Sequence, residues 1–264
     1  MSEFEQAVNF WPLAAIFGLF WGSFLNVLAL RWGSKYRGLT LAERSHCPKC
    51  QKILNWHELL PLISLILLHG RCRGCRKKID LRYPGVEILT AVFLGGIVFK
   101  YGLSAQALTL SVAGSLLLIA ALVDFETQIL PDSLVASAFV LTLLVTLLLG
   151  QSALVNLAFP VSSWWRGALT GGLIIGAIFL LTRGKGIGFG DVKLATVLGS
   201  VVGMSGALLM LWSAFILGSL VGGTLLLRRR ATLKTALPFG PFLFAGWLIA
   251  LFWGRDIIAW YTQL

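Results

Sequence analysis

Four acidic residues stand where acids are costly. Asp124 follows the apolar run 116–123. Asp191 follows Gly186-Ile187-Gly188-Phe189-Gly190 and precedes another apolar stretch, while Glu126 and Asp132 lie close behind Asp124. Ionisable groups at the edge of hydrocarbon are expensive and are usually functional. Two carboxylates held together at low dielectric cannot both ionise easily. They share a proton, so one acts as base toward a water while the other acts as acid. Such a pair, here Asp124 and Asp191, hydrolyses a peptide bond with no covalent enzyme intermediate. Each acid also has a plainer reading. Asp191 suits a helix N-cap, and Asp124 suits a solvated helix end. Asp132 after Pro131 suits a first helical turn, where it complements the helix dipole, and for this residue the plainer reading leads. Glu126 reads as solvated. The glycines before Asp191 allow close approach of backbone or substrate, but they match neither a Rossmann fingerprint nor a Walker sequence. No H-E-x-x-H occurs, and all three histidines, His46, His57 and His69, fall in one loop, which leaves none for a serine triad.

A second constellation is made of sulfur. Cys47-Pro-Lys-Cys50 and Cys72-Arg-Gly-Cys75 are two C-x-x-C knuckles separated by 21 residues, and they contain all four cysteines of the chain. Four thiolates on two tight turns close a tetrahedral shell around zinc. Because that shell is already full, the nearby histidines read as surface or outer groups. Free thiols or a redox pair are the alternative. Between the knuckles, 59–68 is apolar but too short to span a bilayer, so it is expected under the knuckles or at the membrane interface.

The elements that must carry these groups are membrane helices. Of 264 residues, 57% are hydrophobic and 12% charged, about half the charged fraction of an ordinary soluble domain. Stretches of about 20 apolar residues span a bilayer. Spans are expected at 10–30, 83–101, 105–123, 131–149, 162–182, 192–202, 205–227 and 237–253, with Gly203-Met204-Ser205-Gly206 read as a turn and one long kinked helix over 192–227 as the alternative. The pairs Gly95-Gly96, Gly171-Gly172 and Gly222-Gly223 are expected to allow close helix contact. The fold class is therefore all-α membrane protein, with about eight transmembrane helices and a cytoplasmic zinc-binding loop between helices 1 and 2. The expected division is 1–30 for the first helix, 31–82 for the loop and 83–264 for the helical membrane domain. The net charge of +11 is distributed by side. With the N-terminus outside, the inner loops hold twelve Lys/Arg in 31–82, then Arg183, Lys185, Arg228, Arg229, Arg230 and Lys234, which obeys the positive-inside rule. Anionic lipid, and not nucleic acid, is the expected partner of this charge. The N-terminal residues lack a basic region and a small-residue cleavage site, so the first helix is expected to be retained.

Several segments, in order, resemble the bacterial type IV prepilin leader peptidases, membrane aspartyl proteases of the GxGD type. Gly22-Ser23-Phe24-Leu25-Asn26-Val27 resembles the family's first-helix motif. Arg44 to Cys50 and Gly70 to Cys75 resemble its zinc knuckles, and Arg82-Tyr83-Pro84 with Glu87 resembles the entry to its second helix. The segments 124–132 and 186–194 resemble its two active-site segments, and Pro238-Phe239-Gly240-Pro241-Phe242 a late-helix motif. The resemblance implies that Asp124 and Asp191 are the catalytic pair. It implies precursors of pilins or type II secretion pseudopilins as substrates, cut at the cytoplasmic face of the inner membrane after a Gly that precedes an apolar helix, with the enzyme's N-terminus periplasmic. It further implies N-methylation of the new terminus with S-adenosylmethionine, an activity that no cofactor loop in the residues reveals. A proton-coupled transporter using the same aspartates as ion sites is the alternative from another class.

Overall fold

The computed structural model describes residues 3–32, 45–148, 164–230, 232 and 235–263. Every long element among them is a helix. In chain order these are α1 (Glu3–Trp32), the short α2 (Ile63–Leu67), α3 (Arg82–Tyr101), α4 (Ala105–Thr127), α5 (Asp132–Leu148), α6 (Trp164–Thr182), α7 (Phe189–Leu227) and α8 (Gly240–Thr262). Six of them are long and apolar enough to cross a membrane, namely Phe10–Trp32 of α1 together with α3, α4, α6, α7 and α8. The chain is a multi-pass membrane protein. At 17 residues, α5 is shorter. The 39 residues of α7 contain one non-helical position, Gly203, with φ 72° and ψ −178°. This break is the turn expected from the glycine run, so α7 holds the two helices expected at 192–202 and 205–227. The last residue of the expected 131–149 helix, the first two of 162–182 and residues 33–44 of the loop lie outside the described residues.

The chain forms two compact units, Met1–Ser111 and Val112–Leu264. In the first, α1 packs against α3 through small residues. A Cβ added at Gly22 would lie 2.9 Å from the Glu87 Cα, and one at Gly18 would lie 2.6 Å from the Ala91 Cα, so the two backbones nearly touch. Gly95 makes the reciprocal approach, 3.0 Å from the Ala15 Cβ.

In the second unit α7 is the central element, in contact with α5, α6 and α8. Gly167 and Gly171 of α6 press on the backbones of Gly199 and Ala195 of α7, and Gly246 of α8 presses on the Met210 carbonyl. The close contact expected at Gly222-Gly223 is absent at Gly223, which faces open space. The C-terminal end of α4 and the N-terminal ends of α5, α7 and α8 converge in this unit, as the contacts described next demonstrate.

Candidate active site

Asp124 sits in the last turn of α4, and Asp191 is the third residue of α7. They are 5% and 8% exposed, and the Asp124 carboxylate acts electrostatically on that of Asp191. Each is held by one backbone N–H. The Gly240 N–H, at the first residue of α8, donates to Asp124 Oδ2 at 2.9 Å. The Gly188 N–H, just before α7, donates to Asp191 Oδ2 at 3.1 Å. Asp191 sits at the positive end of its own helix dipole, and Asp124, at the C-terminal end of α4, faces the positive end of α8. Asp191 Oδ1 is buried and has no hydrogen-bond partner among the described residues. The plainer alternative, Asp191 as N-cap, does not apply: Gly188 is the N-cap, and Asp191 reaches back to its N–H as half of a capping box.

The local sequence explains the arrangement. Gln128 takes a φ of 54° and turns the chain out of α4, and its Nε2 donates to the Ala236 carbonyl at 3.0 Å, tying this turn to the segment that enters α8. Pro131 and Asp132 start α5 as expected. A Cβ at Gly190 would lie 2.9 Å from the Leu130 Cβ, so only glycine lets the loop before Asp191 settle on the turn after Asp124. A cleft of 250 Å³ opens beside these segments, lined by Gly186, Ile187, Phe215, Gly218, Phe239 and Phe242 among others.

Asp132 behaves differently from the other two acids. Its side chain is 71% exposed, and Lys193 Nζ donates to both its oxygens at 2.8 Å. Lys193 also lies over the Phe189 ring, 5.0 Å from the centroid. Glu126 is exposed. Three contacts were missed in the sequence: Gly240 on Asp124, Lys193 on Asp132, and Gln128 on Ala236. The one available signal was Gly240 between Pro238 and Pro241, which marks a helix start with a usable N–H.

In the first unit the four sulfurs of Cys47, Cys50, Cys72 and Cys75 lie within 4.8 Å of one another, and they are the only such group among the described residues that could hold a metal ion. The Cys50–Cys72 Sγ separation of 4.0 Å is close to the ~3.8 Å edge of a tetrahedral Zn–S₄ shell. The two knuckles repeat one design. The N–H groups of Cys47 and Cys72 donate to the carbonyls of Lys52 and Lys77, while those of Gln51 and Arg76 return to the carbonyls of Cys47 and Cys72. Gln51 and Arg76 turn at φ 58° and 54°. The N–H groups of Cys75 and Gly74 push the Cys72 thiol down to about 7, while that of Cys50, despite the Lys52 N–H, is pushed up by burial and by crowding from the other three thiols, so within this group the proton is drawn from Cys72 first.

Glu58 braces the first knuckle. The Asn55 N–H and Lys52 hold its carboxyl below the usual range. The histidines stay out of the cysteine group, and His57 pairs with Arg73 at 3.2 Å. Between the knuckles, α2 leaves Ile63, Ile66 and Leu67 exposed, so these side chains are not packed beneath the knuckles.

The profile of the bacterial peptidase A24 N-terminal domain matches residues 16–101, and that of the type IV leader peptidase family matches 111–223. A prepilin leader peptidase/N-methyltransferase of Pseudomonas putida is 35% identical, covering 98% of this chain and 96% of its own. Its namesake in Bacillus subtilis is 31% identical over 94% and 96%, and that of Aeromonas hydrophila 32% over 96% and 93%. No solved structure matches the chain.

Proposed function

Since the chain belongs to the type IV leader peptidase family, we propose that it cuts the leader from prepilins or pseudopilins with Asp124 and Asp191 and then methylates the new N-terminus. The reading stands on one observation: two buried carboxylates from different helices, each anchored through one oxygen to a backbone N–H at a helix start. One carboxyl holds a proton and polarises the scissile carbonyl. The other, as carboxylate, takes a proton from the attacking water, and the first residue's proton passes to the departing amine nitrogen. The anchoring bonds fix the direction of each carboxyl before substrate arrives. The apolar cleft beside Phe239 and Phe242 suits the apolar start of the mature substrate, and the neighbouring glycines leave room for its backbone. A proton-coupled transporter finds no support among the relatives.

The four thiolates fit zinc, which would cross-link the two knuckles and complete a closed, structural shell with no open position for water. S-adenosylmethionine would supply an electrophilic methyl group. The positive-inside distribution supports a reading in which the knuckles and both aspartates lie at the cytoplasmic side of the inner membrane, with the N-terminus periplasmic. The test is to incubate purified protein with a prepilin and S-adenosylmethionine, following leader release and the mass of the new N-terminus. Leader release with one added methyl group is expected, and an uncut precursor refutes the proposal.

A further inference from the structure

The two-carboxylate chemistry leaves the buried polar groups of the α1–α3 pair unused. Glu87 lies on the second turn of α3 and is only 7% exposed. Its Oε2 accepts the Leu62 N–H at 3.0 Å, and its carboxylate is hydrogen-bonded by the Ser23 side chain. Leu62 itself is held at φ 55°. Gly22 removes the side chain that would otherwise keep α1 away from Glu87. One turn on from Gly22, Asn26 is 0% exposed, and neither its Oδ1 nor its Nδ2 has a hydrogen-bond partner among the described residues.

A helix pair that needed only to pack would carry apolar residues here, as Leu25 and Ala29 of the same helix do at 1% and 0% exposure. An ionisable group and an unpaired amide inside membrane helices are costly and mark function. The chemistry of the cluster is that of an acceptor. It offers a carboxylate, an amide oxygen and a hydroxyl, and among the described residues no Lys or Arg acts on the Glu87 carboxylate. Such a set recognises a compact cation with several N–H donors. Depth narrows the choice. Glu87 is five residues beyond the start of α3, and Asn26 six before the end of α1, so both lie at the hairpin end that adjoins the cysteine loop.

We propose that Ser23, Asn26 and Glu87 bind the α-ammonium group that cleavage creates at the mature substrate's N-terminus. This rests on the reading that the cut falls at the same membrane edge and that the new terminus is then methylated. Glu87 would hold the ammonium and accept its proton, releasing the amine lone pair, and Asn26 Oδ1 would accept a second N–H.

The test uses the full-length zinc-loaded protein in detergent and two fluorescent probes, a 20-residue apolar peptide with a free N-terminus and its Nα-acetyl twin. Wild type is expected to bind the free-amine peptide at least about tenfold more tightly, as one charge-assisted contact confers. Glu87→Gln retains the size and the carbonyl oxygen that receives the Leu62 N–H, so a purely structural role survives it. The amine preference is expected to fall to about twofold or less. Asn26→Asp, which adds negative charge at constant size, is expected to increase the preference, and it carries the test if Glu87→Gln fails to fold. Equal binding of both peptides by wild type overturns the inference, as does a preference that survives Glu87→Gln. S-adenosylmethionine and S-adenosylhomocysteine differ in the charge on sulfur. If Glu87→Gln weakens only the first and spares the peptide preference, the carboxylate serves the methyl donor and the inference fails. A wild-type protein that prefers the free amine yet adds no methyl group to cut prepilin refutes the methylation reading alone.

Discussion

Gly240→Ala tests the anchoring of Asp124 without touching either acid. A Cβ at this position would lie 2.7 Å from Asp124 Oδ2 and 3.2 Å from its Cγ, whereas ordinary contact begins near 3.4 Å. The carboxylate oxygen must retreat by about 0.7 Å, the difference between those distances. The Gly240 N–H bond, now 2.9 Å, then stretches beyond useful range. A hydrogen bond to a charged group is worth about 1.5–3 kcal/mol, and a misplacement of ~1 Å costs up to about 10²-fold in rate. Taking 2–3 kcal/mol as the loss in the transition state, kcat is expected to fall about 30- to 150-fold. The backbone should tolerate the change, since Gly240 is helical and Ala is favoured over Gly in helices by roughly 0.5–1 kcal/mol. The assay is the initial rate of leader release from a prepilin in membranes, with insertion checked by protease protection. Gly223→Ala, which adds a methyl group into open space, is the control. If Gly240→Ala cleaves within about threefold of wild type, Asp124 does not depend on this N–H and the reasoning fails.

Three further outcomes are expected. Asp124→Asn and Asp191→Asn should each lower cleavage at least about 10³-fold while the protein still inserts, and wild-type-like cleavage by either removes the proposed dyad. The exposed pair Asp132–Lys193 should be worth at most about 1 kcal/mol, so Asp132→Asn should slow cleavage less than about fivefold. The double exchange Asp132→Lys with Lys193→Asp should recover part of that loss, measured in the same assay. Elemental analysis should find one zinc per chain, and replacing Cys47 and Cys50 by serine should release it and impair N-methylation more than cleavage, read from the N-terminal mass and the remaining precursor.

The legible features of the sequence were local ones. The cysteine quartet is set by two short knuckles, so composition and spacing were enough to predict four clustered sulfurs. Helix spans follow from apolar length, and Gly203 announced its own break. What links those helices was not legible. Asp124 meets Gly240 across 116 positions, and Lys193 meets Asp132 across 61. A membrane helix is apolar around its whole circumference, so the sequence carries no polar face to show which neighbour it meets or at what height. The small residues carry part of that information, and even they mislead: Gly171 lies against α7, whereas Gly223 lies against nothing. Asp191 shows the same limit at one helix end. Its type and position pointed to a cap, but the glycine at 188 could serve as N-cap instead and leave the aspartate inside the first turn.

The three aspartates at this end of the second unit differ in a way that supports the proposed assignment of Asp124 and Asp191 as the catalytic pair. Lys193 occupies both oxygens of Asp132, and water reaches most of that side chain. A carboxylate so paired and solvated stays ionised and its charge is largely compensated, which suits it poorly to hold a shared proton. Asp124 and Asp191 are buried, where an unpaired anion is costly, yet the stabilisation they receive is a single backbone N–H apiece at a helix start. A helix terminus presents about half an elementary charge. That is enough to orient one oxygen of each carboxyl and too little to quench the other. A lysine in place of Gly240 or Gly188 would repeat the arrangement at Asp132. On the proposed reading the glycines let a partial charge stand where a side-chain cation would quench the acid, and Asp191 Oδ1 is left without a hydrogen-bond partner among the described residues.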